Sequence, residues 1–107
     1  MSESKLPGAA QQIAKHNPDV WDAYEKLGKA VAEAGPLDTR TVHLVKIASA
    51  IAHRSEGATH SHVRRAREAG VSDDEIRHVS LLLVPTIGFP QATAGRTWIE
   101  DVLSNQD

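Results

Sequence analysis

Residues 37–70, LDTRTVHLVKIASAIAHRSEGATHSHVRRAREAG, constrain the fold more than any other stretch. Val42, Leu44, Val45, Ile47, Ala48, Ala50, Ile51 and Ala52 cover most of the circumference of a helix that Asp38 or Thr39 can cap and that extends to about His53. A helix apolar on nearly every side belongs near the centre of a fold or of an oligomer. The segment from about Glu56 to Ala69 reads as a second helix, carrying His62 among small residues, and Gly70 is its stop.

The rest of the chain reads as helical too, since strict apolar–polar alternation appears nowhere over a useful length. Asn17-Pro18 marks a helix start, and Val20, Tyr24, Leu27 and Val31 fall on one face before Gly35-Pro36 ends the helix. A shorter helical piece precedes it around Ala9 to Lys15. Ser72-Asp-Asp-Glu75 is a capping box, after which Asp73 and Arg77 can pair one turn apart. Pro85 should kink or end that helix after the apolar run Leu81 to Val84, and Gly88-Phe89-Pro90 marks a turn. The last helix should bury Ile99, Val102 and Leu103, and the SNQD tail should fray. Five to six helices with short loops are expected to pack as antiparallel neighbours.

A chain of 107 residues fits one small domain, taken as residues 1–107. Burial is inefficient at this size, so association would widen a thin stability margin. The net charge of -2, with both signs dispersed, does not match the concentrated basic face of a nucleic-acid binder; the cluster Arg64, Arg65, Arg67 is weakened as a signal by Glu68 one turn from Arg64. MSESKLPG has no apolar stretch of signal-peptide length and no segment approaches a membrane span, so a cytoplasmic protein without membrane partners is expected. The absence of cysteine excludes disulfides, thiolate metal sites and thiol peroxidase chemistry carried by this chain alone.

Leu37-Asp38, the apolar helix, His62, Ala66, Ala69-Gly70, the acidic helix start Ser72 to Ile76 and Gly88-Phe89-Pro90 occur in order and without gaps. This ordered set resembles the carboxymuconolactone decarboxylase and AhpD-type alkylhydroperoxidase superfamily, from about Leu37 to Ala94. The resemblance implies an all-α AhpD-like domain with the 38–54 and 56–69 helices at its centre, and a homo-oligomer, a trimer or hexamer. It also implies that His62 is the site histidine. Peroxidase-type members place a C-x-x-C pair seven and four residues before that histidine, where this chain has Ser55 and Ala58. Dithiol reduction of peroxides is therefore not expected. The family's acidic residue falls at His43, and the second histidine and the tyrosine found in the decarboxylase branch fall at Leu82 and Thr86.

His62 shares a helix face with Ser55, Ala58, Thr59 and Ala66, which leaves room for a ligand beside the ring. A free imidazole titrates near pH ~6.5 and can give or take a proton; the competing reading is a satisfied, half-buried histidine. His43 opposite His62 would make a pair able to divide acid and base roles, or else it belongs with Ser49, Lys46 and His53 to a solvated stripe. A metal on the two rings would need help from Glu56, His60 or a neighbouring subunit, whereas His60 by itself reads as solvated, and no metal or cofactor is expected. Trp21 and Trp98 read as core or interface anchors, and His16 and His78 as surface residues.

The expected function is non-redox acid–base chemistry on a small organic acid or lactone, of lyase or isomerase type. His62 and His43 are the expected catalytic residues, and Ser55 and Thr59 the expected substrate contacts. The alternative is a degenerate, non-catalytic member that binds a ligand or serves as an oligomeric partner.

Overall fold

The computed structural model describes residues 8–104, so the N-terminal stretch and most of the SNQD tail lie outside the described residues. Six helices follow in order: α1 (Gly8–His16), α2 (Pro18–Glu33), α3 (Thr39–Ala52), α4 (Glu56–Glu68), α5 (Asp73–Ile87) and α6 (Phe89–Leu103). No strand occurs among the described residues, and the all-α expectation holds. None of these helices is long and apolar enough to cross a membrane.

The chain divides into two compact units, the first ending at Asp38 and the second beginning at Thr39. In the first unit, Pro18 opens α2 without help from Asn17, whose side chain makes no capping bond. The rings of Trp21 and Tyr24 meet in a tilted contact, with centroids 5.3 Å apart. Neither α1 nor α2 has a buried residue, and Val20, Tyr24, Leu27 and Val31 are each more than half exposed. The helical face read from their spacing is therefore real, but it is open.

The second unit holds the core. Ile47 and Ile51 of α3, Val63 and Ala66 of α4, Ile76, Val79 and Leu83 of α5, and Ala92, Ile99, Val102 and Leu103 of α6 are all buried, with Val71 from the α4–α5 loop. Residues three and four apart on a helix project to the same side, and this is why Ile99, Val102 and Leu103 enter the core together.

Each helix end in this unit has a local cause. Gly70, at φ +90°, closes α4: its N–H donates to the Arg67 carbonyl and that of Val71 to the Ala66 carbonyl. The same pattern ends α3, with Arg54 at φ +61° in the glycine position: Arg54 N–H donates to Ile51 O and Ser55 N–H to Ala50 O. Gln91 Nε2 adds a 2.9 Å bond from α6 to the Ile51 carbonyl. Ser72 and Glu75 form the capping box of α5 as read from the sequence.

Two expectations are corrected. Pro85 does not end α5, which continues to Ile87: the proline costs the helix its own N–H bond to the preceding turn, but helical bonding resumes beyond it, with Gly88 N–H donating to the Val84 carbonyl at 3.1 Å. Asp73 and Arg77 do not pair: Asp73 meets Arg67 at 3.3 Å, and the Arg77 guanidinium is drawn to Glu100 of α6 at 2.8 Å.

Candidate functional site

His43 and Lys46 lie one turn apart on α3, and His62 and Arg65 lie one turn apart on α4; all four are half-buried, and the two helices pack against each other. The polar stripe read along α3 therefore splits. Its His43 end turns inward, while Ser49 and His53 are exposed.

The Nδ1 atoms of both His43 and His62 are buried, and neither has a hydrogen-bond partner among the described residues. Buried polar atoms are nearly always paired, so two orphaned imidazole nitrogens on adjoining helices form a recognisable site feature. Burial is the main cause that lowers the His62 pKa, to about 4, followed by the charges of Arg65, Lys46 and His43. Burial also lowers that of His43, again with Lys46 and Arg65 contributing. At neutral pH both rings are uncharged, next to two permanent cations. The pair predicted from the sequence is thus within mutual electrostatic range, and no hydrogen bond joins the two rings.

Ser55 caps α4, its hydroxyl accepting the Ala58 N–H at 3.2 Å. Thr59 is fully buried and its hydroxyl donates to the Ser55 carbonyl at 2.8 Å. The Thr59 hydroxyl is thus committed inside the fold, whereas half-buried Ser55 stands at the helix start that carries His62. Leu82 and Thr86, at the positions where the decarboxylase branch carries polar groups, are exposed.

His60 is not the solvated residue suggested by its sequence position. Its ring is 23% exposed, and Nε2 lies 3.0 Å from Asp101 Oδ2 on α6 and 4.0 Å from Glu56 Oε2 one turn back. Only the Glu56–His60 spacing was visible in the sequence; Asp101 is too distant along the chain.

The chain and its fold resemble known proteins. Residues 18–101 match the carboxymuconolactone decarboxylase family. An uncharacterised Haemophilus influenzae protein is 35% identical over 55 residues, which are 51% of this chain and 49% of that protein, so the similarity spans about half of each. A crystal structure of a Burkholderia xenovorans protein described as a candidate carboxymuconolactone decarboxylase superposes with a TM-score of 0.64 at 24% identity, covering 95% of this chain and 85% of the other. That likeness concerns the fold, whereas the family match extends over most of the sequence. The chain belongs to the carboxymuconolactone decarboxylase family.

Proposed function

We propose that the protein acts on a small organic acid or lactone by non-redox proton transfer, with His62 as the proton-transfer residue and His43 as its partner. The observation that carries this reading is the pair of buried, unsatisfied Nδ1 atoms beside Lys46 and Arg65. An anionic substrate fits this setting, because its carboxylate is attracted by the two cations while a neutral imidazole is available to the reacting carbon. Such an anion would also raise the proton affinity of His62 by partly cancelling the charges that depress it. The ring would then move toward the range in which general acid–base catalysis is effective. In the reaction, His62 takes a proton from a carbon next to a carbonyl and returns it to the product, and His43 holds or relays it. The Ser55 hydroxyl is the nearer of the two expected substrate contacts in role, since Thr59 has already spent its proton on Ser55 O.

The protein would work as a homo-oligomer, a trimer or hexamer. The open apolar face of α2, together with exposed Val45, Leu81, Leu82 and Phe89, supports association, because apolar patches of this kind mark interaction surfaces.

The test is turnover of a panel of lactones and keto acids by the full chain and by His62→Ala and His43→Ala. Loss of turnover in His62→Ala, with the assembly intact, is the expected result; unchanged turnover removes His62 from the mechanism. The replacement of the family's polar positions by Ala58, Leu82 and Thr86 favours a second reading, a ligand-binding protein without catalysis. Binding of a panel member without conversion by the wild-type chain would establish that reading instead.

A further inference from the structure

We propose that Glu56, His60 and Asp101 form a binding site for one divalent cation of the zinc class, held between α4 and α6. The site does not depend on the proposed acid–base function. His60 and His62 are two residues apart on α4 and so project to opposite sides of it.

Three ligand atoms, one from each residue, lie within 4.8 Å of one another. Two carboxylates converge on the same imidazole nitrogen: Asp101 at 3.0 Å from another helix, and Glu56 at 4.0 Å from one turn earlier. A single Nε2–H can serve only one of them. A cation bound to the Nε2 lone pair could take an oxygen from each carboxylate at once.

The dimensions suit such an ion. Zinc binds imidazole nitrogen and carboxylate oxygen at about 2.0–2.2 Å, which separates neighbouring ligands by roughly 3–3.5 Å. His60 and Asp101 already have that separation. Glu56, 59% exposed and in the first turn of α4, needs only a rotamer change to close in. Half-buried His60 is held on a helix of the core, so the site has a rigid side and an adjustable one. Three protein ligands leave at least one coordination position for water or a small anion. One nitrogen and two carboxylate oxygens favour a borderline cation such as Zn²⁺ over Mg²⁺, which prefers oxygen and retains its water shell.

The experiment is calorimetric titration of the untagged, chelator-treated full chain with zinc chloride and, separately, magnesium chloride. The expected result is one Zn²⁺ per chain and no uptake of Mg²⁺. Glu56→Gln, His60→Gln and Asp101→Asn should each weaken zinc binding by about tenfold or more, since even residues that only support ligands have effects of that size. His62→Gln should leave it unchanged. Glu56→Gln, at an exposed helix start, tests the site without risk to the core. Three results would overturn the proposal: no zinc uptake at all, uptake unaffected by all three substitutions, or uptake abolished by His62→Gln and retained in His60→Gln. The last would assign the ion to the His43–His62 pair.

Discussion

The charge of His43 is one of the causes holding the His62 pKa down to about 4, while each ring buries an Nδ1 with no hydrogen-bond partner among the described residues. A folded protein that keeps His62 neutral disfavours its protonation, whereas the unfolded chain binds that proton near the ordinary value of 6.5. Between the two values the unfolded state carries more protons, so stability falls as pH falls from 6.5 toward 4. Full linkage would amount to ~3 kcal/mol, and solvent screening of a partly exposed ring reduces this to about 1–2 kcal/mol. His43, shifted the same way, adds to the slope. Urea unfolding in the presence of a chelator, at several pH values across this window, should show the decline in the wild type and a shallower one in His62→Gln. An identical slope in the variant would mean that His62 is not held neutral by the fold.

A second acid transition lies lower. Glu100 accepts two bonds from Arg77, at 2.8 and 3.1 Å, one from Arg96 at 3.0 Å and one from Ser104 at 2.9 Å. The hydrogen bonds from Arg77 are the main cause that holds its pKa down to about 2, from an ordinary 4.5. Here the depressed carboxyl stabilises the fold above pH 4.5, and that contribution is lost as pH falls toward 2. Glu100→Gln should destabilise the protein at pH 7 by about 1 kcal/mol, the scale of a partly exposed ion-pair network, and flatten the stability profile below pH 4.5 but not above it. Thermal melts at pH 7, 5 and 3 separate this effect from that of His62.

The helices were legible in the sequence where the signal is local. Gly70, the Ser72–Glu75 capping box and the Ile99, Val102, Leu103 face each depend on residues within one or two turns, and each appears as read. What depends on a second helix was hidden. Arg77 prefers Glu100 to its helical neighbour Asp73, and His60 turns to Asp101; neither partner can be inferred from spacing. Pro85 misled for a different reason: a proline removes a single N–H bond, and the bonds on either side of it, such as Gly88 N–H to the Val84 carbonyl, carry the helix past it. In the candidate site, family resemblance pointed to His62, but a helical wheel could not distinguish half-buried His43 from exposed His53.

If the α2 face is covered by another copy of the chain, a charge placed there should dissociate the assembly. Tyr24 is 57% and Leu27 60% exposed. Tyr24→Asp and Leu27→Asp should therefore leave helicity intact while lowering the mass measured by light scattering after gel filtration. Burying an unpaired carboxylate in an apolar contact is expensive enough for one substitution to suffice. A wild-type chain that is already monomeric at micromolar concentration, or variants with unchanged mass, would exclude this face as an interface.

A close approach of two helices in the second unit sets a final prediction. Gly95 of α6 faces Ile51 of α3, and a Cβ at position 95 would lie 2.8 Å from Ile51 Cδ1 and 2.9 Å from Cγ1. Ile51 is fully buried and β-branched, so it has little freedom to retreat. The Ile51 carbonyl is also fixed to Gln91 of α6, which holds the two helices in register at this crossing. Gly95→Ala would gain about 1 kcal/mol of helix propensity. It should nevertheless destabilise the protein, because overpacking a dense core costs about 1–3 kcal/mol. Ile51→Ala removes the side-chain atoms that would clash, so Gly95→Ala should be harmless or stabilising in that background. A double-mutant cycle from urea unfolding should give a coupling above about 0.5 kcal/mol. Additive effects would mean that the two helices can separate at Gly95 at no cost, contrary to this packing.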